Sequence, residues 1–142
     1  MGSPPQSPRV DKTSGLANAG GSDALYRRML NLFSEREAGF VQRFRAARAA
    51  GDPEGAMRAA HDLKSEAGTL GMPALEEAAA ALERACIDGA GDADVDALLQ
   101  KASAQLDEVF DELRVAETAE AAPKPPDRLP ESLASYSPKD FR

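Results

Sequence analysis

The sequence predicts an all-α protein: an antiparallel four-helix bundle with an additional short N-terminal helix. Three observations carry that expectation. Alanine, the residue of highest intrinsic helix propensity, is abundant through the middle of the chain. β-branched residues are sparse and never form an alternating run, so strands lack their usual signature. Apolar residues between positions 22 and 115 recur instead at helical spacing, in runs separated by short Gly-, Pro- and Asp-containing breaks. Aromatics make up 5% of the chain and Trp is absent. The core therefore falls to Leu, Ala, Val, Met and a few Phe, small side chains that suit closely approaching helices. Four or five amphipathic helices joined by short loops imply antiparallel neighbours.

The prolines frame this segment. Pro4, Pro5 and Pro8 lie in the first stretch and Pro123, Pro125, Pro126, Pro130 and Pro138 in the last, with only Pro53 and Pro73 between. Residues 1–21 are expected to be a disordered or linker N-terminal tail, 22–115 the helical bundle, and 116–142 a Pro-rich disordered or linker C-terminal tail.

Within the bundle, Leu25, Met29, Leu32 and Phe33 open on a helical spacing. Ser34 followed by Glu37 resembles a capping box, which would start a new helix there. The alternative is one continuous helix through Phe40, Val41 and Phe44 to the neighbourhood of Ala50. Gly51-Asp52-Pro53 is a sharper boundary: Gly51 suits a helix end, Asp52 can cap the next N-terminus, and Pro53 fits the first helical position. The helix that follows runs from Pro53 to Leu70. Gly71 can end it and Pro73 can open its successor, whose apolar stripe is Leu75, Ala78, Ala79, Leu82 and Cys86. Asp88-Gly89-Ala90-Gly91-Asp92 is a turn, with Asp92, Asp94 and Asp96 read as helix-start charges. The last helix carries the longest pattern: Val95, Leu98, Leu99, Ala102, Leu106, Val109, Phe110 and Leu113.

Composition excludes several classes. The formal charge is −7 and the basic residues form no cluster with interleaved aromatics, so a nucleic-acid footprint is missing. The single cysteine, Cys86, forbids an intramolecular disulfide and a cysteine-rich metal site. It is expected to be a packed or half-buried thiol. No apolar run approaches the roughly 20 residues of a membrane helix, and the N-terminus lacks a secretory apolar stretch. A soluble cytoplasmic protein, or a soluble piece of something larger, is the expectation, monomeric and without membrane or nucleic-acid partners.

The chemistry concentrates on one helix. At about 100° per residue, Ala60, Leu63, Ala67 and Leu70 share one stripe, and His61, Lys64, Ser65 and Gly68 share another, offset by more than a quarter-turn. The only histidine of the chain is thus expected to point away from the core. A neutral imidazole has a free nitrogen lone pair and can act as a nucleophile near neutral pH. Lys64 brings a compact positive charge, and Ser65 and Gly68 leave room beside the ring. A glycine inside a helix costs about 1 kcal/mol relative to alanine, so Gly68 points to close approach or tight packing.

The segment His61-Asp62-Leu63-Lys64-Ser65-Glu66-Ala67-Gly68-Thr69-Leu70-Gly71 resembles the signature of histidine-containing phosphotransfer (HPt) domains, His-x-Leu-Lys-Gly followed by small residues and spaced glycines. Leu25-Tyr26, Leu32-Phe33, Gly51-Asp52, Leu75 and Leu82-Glu83 resemble the family's flanking elements. One position departs from the pattern: Ser65 stands where the family usually has glycine.

The resemblance implies a phosphocarrier with no nucleotide site of its own. His61 would be the phosphoacceptor and Lys64 would offset phosphate charge, while Asp62, Ser65, Glu66 and Gly68 would meet the docking partner. Partners would be response-regulator receiver domains or a hybrid sensor histidine kinase. The chain itself would need no cofactor, with Mg²⁺ held by the receiver. Two other classes compete. A docking module that binds a receiver or kinase without phosphotransfer would tolerate His61→Gln. An enzyme using His61 as a general base finds no visible partner acid, nucleophile or pocket in the sequence.

Overall fold

The computed structural model describes residues 9–121, and side chains as far as Arg114. Six helices follow one another: α1 (Lys12–Asn18), α2 (Asp23–Glu37), α3 (Phe40–Ala49), α4 (Pro53–Leu70), α5 (Pro73–Ile87) and α6 (Asp92–Ala121). No strand occurs among the described residues. The described residues up to Glu112 form one compact unit, and α6 runs on beyond it from Leu113. Short connections at Ala50–Asp52, Gly71–Met72 and Asp88–Gly91 turn each helix back on the one before it, which gives the antiparallel bundle.

Helix α4 is the central element, packed on α5, α3, α1 and α2. Its limits follow from local chemistry. The Asp52 side chain accepts from Gly55 N at 2.9 Å, Pro53 takes the first turn, and Gly71 closes the helix at φ 84°, a left-handed conformation that side chains disfavour. Gly71 is needed for a second reason: a Cβ there would collide with the Asp11 carbonyl. Ala56, Ala60, Leu63, Ala67 and Leu70 form the buried face of α4. They meet Leu75, Ala79 and Leu82 of α5, Phe40 and Phe44 of α3, and Val95, Leu99, Ala102, Leu106 and Val109 of α6 in one core. Phe33 and Phe110 stack tilted with centroids 5.9 Å apart.

Four features depart from the sequence-based expectations. First, residues 9–21 are not a featureless tail. Asp11 caps α1 through Ser14 N, Asp11 N donates to Gly71 O at 2.5 Å, and Arg9 N and Val10 N donate to the two carboxylate oxygens of Glu112. Gly15 is buried against the Tyr26 ring and the Leu70 carbonyl, where any Cβ would clash. Residues 1–8 lie outside the described residues.

Second, helix α6 continues through 116–121 into the segment expected to be a tail, and 122–142 lie outside the described residues. Third, neither alternative at Ser34–Glu37 holds. Helix α2 runs through Glu37 and stops at Ala38, and α3 begins after Gly39. Arg43 makes the break: its guanidinium donates to the Arg36 carbonyl at 2.7 Å and to Glu37 at 2.8 Å, satisfying groups at the end of α2. Fourth, Leu25 and Leu32 are exposed while Tyr26 and Phe33 are buried. The Tyr26 hydroxyl donates to Leu70 O at 2.9 Å, and that bond selects the face α2 turns inward.

The acidic turn before α6 is used in packing. Asp92 pairs with Arg48, and Asp96 lies 3.6 Å from Arg45, which ties the start of α6 to α3. Cys86 is half-buried, and burial pushes its thiol pKa up.

Candidate functional site

The core stripe of α4 rotates His61 onto the surface, with its side chain 51% exposed. Its Nδ1 lies 2.8 Å from Oε2 of Glu83 on α5. The other oxygen of the same carboxylate, Oε1, lies 2.7 Å from Nζ of Lys64, a side chain that is 33% exposed. Ring and ammonium are therefore gathered on one carboxylate across the α4–α5 seam. Glu83 itself is only 8% exposed. Its pKa is lowered, mainly by the hydrogen bond from Lys64 and further by that from His61, against the opposing effect of burial.

A carboxylate held in its ionised form is an acceptor, so Nδ1 of the neutral ring is the protonated nitrogen. Nε2 then keeps its lone pair, directed away from Glu83. In that tautomer the site offers an exposed imidazole nitrogen with a free lone pair and a cation beside it.

Sequence-based reasoning missed Glu83. The available signal was its place on α5: it follows Ala79 by four residues, on the side of the helix that carries Leu75, Ala79 and Leu82 into the core. A carboxylate at such a position demands a partner.

The other expected site residues separate into two groups. Ser65 and Gly68 lie with Lys64 on the rim of a shallow, open depression completed by Thr69, by Glu76 of α5 and by Asn18 of α1. A Cβ at Gly68 would come within 2.8 Å of Oε2 of Glu76, the far end of an exposed, flexible side chain. Ser65 is exposed. Asp62 and Glu66 lie on a different stripe. Asp62 is exposed, and its charge acts on Arg36 of α2. Glu66 is turned toward α2, its side chain 19% exposed, with Oε2 held at 2.7 Å by Arg36 Nη1. Glu66 is not among the residues that border the depression, and its carboxylate is held at the end of α2.

Among the described residues no cluster of three or more His, Cys, Asp or Glu could hold a metal ion, and no helix is long and apolar enough to cross a membrane.

The site is an exposed histidine of an all-helical domain, hydrogen-bonded to a carboxylate that also holds a lysine. The family comparison makes the assignment specific: the Hpt domain model matches residues 28–116, and the chain belongs to the Hpt domain family. Members of this family are phosphocarriers rather than catalytic enzymes, act in two-component signalling, and interact with receiver domains and kinases. Neither a curated protein nor a solved structure matches the chain.

Proposed function

We propose that this protein is a phosphorelay intermediate that takes a phosphoryl group onto Nε2 of His61 from a receiver-domain phosphoaspartate and passes it to another receiver aspartate. The observation that carries this reading is the hydrogen bond between His61 Nδ1 and the buried Glu83 carboxylate, which leaves Nε2 as the exposed nucleophile.

The Nε2 lone pair attacks phosphorus in line. The bond from phosphorus to the aspartyl oxygen breaks, and its electron pair leaves on the receiver's carboxylate. The ring then carries positive charge, which the Nδ1–H bond to Glu83 stabilises. Lys64 offsets the charge of the phosphoryl oxygens at the cost of loosening its bond to Glu83. The reverse sequence delivers the group to a second aspartate. The receiver supplies Mg²⁺, and the chain's own part is positioning and electrostatics. Ser65 and Gly68 keep the approach to Nε2 open. A receiver domain and a hybrid sensor kinase are the fitting partners, with the chain acting as a cytoplasmic monomer.

The test is transfer from a panel of phosphorylated receiver domains with Mg²⁺. Acid-labile, base-stable phosphate is expected on the wild type and none on His61→Gln. Equal labelling of His61→Gln would sink the proposal. Binding to receivers with no label on either protein would make the bundle a docking module.

A further inference from the structure

Helix α1 lies outside the segment that matches the family, which begins at residue 28, yet α1 reaches the face that carries His61. It packs on α4, and Asn18 Nδ2 donates to Thr69 O at 2.8 Å. Asn18 is exposed and closes the depression bordered by Lys64, Ser65, Gly68, Thr69 and Glu76. This ground lies along α4 just past His61. At about 1.5 Å of rise per residue, Gly68 and Thr69 stand about 10–12 Å from His61 along the helix axis.

A protein partner that brings a phosphoaspartate to His61 must cover this ground. A specific interface buries about 800 Å² on each partner, a disc about 16 Å in radius. Centred on His61, such a disc reaches Gly68 and Thr69, which border the depression that Asn18 closes. The lining is an ammonium, two hydroxyls, an amide and a carboxylate, which is the chemistry of an interface rim. Rim groups act on association rate and partner choice more than on the chemical step. Helix α1 is held in place for such a role by Asp11 N on Gly71 O, by Gly15 packed under Tyr26, and by the Glu112 carboxylate on the Arg9 and Val10 amides.

We infer that α1, with Asn18 at its C-terminal end, is a specificity element of the receiver-docking surface around His61. The inference rests on the phosphotransfer proposal and adds to it an element beyond the matched family segment. The test measures phosphotransfer from the same receiver panel to wild type and to Asn18→Arg over a range of receiver concentrations, alongside thermal unfolding of each. With receivers that label the wild type, transfer to Asn18→Arg is expected to fall by about tenfold or more below saturation and to recover at high receiver concentration, as a docking defect does. If Asn18→Arg does not fold, Asn18→Asp supplies the same test with charge in place of bulk. Wild-type rates for the folded variant with every receiver would overturn the role of α1 alone. A wild type that no receiver labels would overturn the phosphotransfer proposal, and this inference with it.

Discussion

Glu83 binds His61 through one carboxylate oxygen and Lys64 through the other, and the residue-scale chemistry turns on that division. His61 and Lys64 were legible in the sequence because both lie on one helix at i and i+3, within a local motif. The pairing of Glu83 with His61 was not, because Glu83 stands 22 residues away on another helix and meets His61 only after α4 and α5 have packed. Removing it should slow acquisition of phosphate without unfolding the protein. For Glu83→Ala, the rate of His61 phosphorylation is expected to drop about tenfold, equivalent to about 1.4 kcal/mol of barrier. Glu83→Gln should fall between, since its carboxamide oxygen still accepts from Nδ1 but no longer carries charge. Equal rates in all three proteins would show that Glu83 does not position the ring.

At the scale of the element, α4 was readable end to end. Each of its signals is local: Asp52 at the cap, Pro53 in the first turn, Gly71 at the close, and an apolar stripe at helical period. The α2–α3 break was not readable, because its end groups are satisfied by Arg43, a side chain from the following helix. The same break holds a titratable group that responds near neutral pH. Glu37, 1% exposed, has its carboxyl pushed up to about 7, first by burial and then by its hydrogen bond and charge interaction with Glu66, with Arg43 pulling the other way. Glu66 Oε1 is buried beside it and accepts no donor until Glu37 carries a proton.

The folded pKa of Glu37 therefore lies above the ordinary 4.5, so the folded state holds the proton more tightly than the unfolded chain does. The resulting stability is full below about 4.5 and is lost as pH rises through about 7. Arg36, Arg43 and Asp62 are the charged groups that act around this pair. Thermal unfolding across pH 5 to 8 should show the wild type losing stability relative to Glu37→Gln, whose amide keeps a donor for Glu66 and an acceptor for Arg43. Parallel pH profiles for the two proteins would refute the shared proton.

For the whole molecule, the bundle was legible because its core is periodic, whereas the N-terminal arm was not. Residues 9–21 carry no apolar period, and α1 exists through tertiary contacts: the Gly71 carbonyl, the Tyr26 ring, the Thr69 carbonyl and the Glu112 carboxylate. The arm and the bundle together frame the ground around one histidine, the only one in the chain. That singularity gives the most direct test of the central claim. The ¹⁵N-labelled protein is phosphorylated with phosphoramidate and the imidazole nitrogens are followed by long-range ¹H–¹⁵N correlation. The expected product is His61 phosphorylated on Nε2, with Nδ1 still protonated and bound to Glu83. Phosphate on Nδ1, or an unmodified ring under conditions that label a reference phosphohistidine protein, would contradict the account.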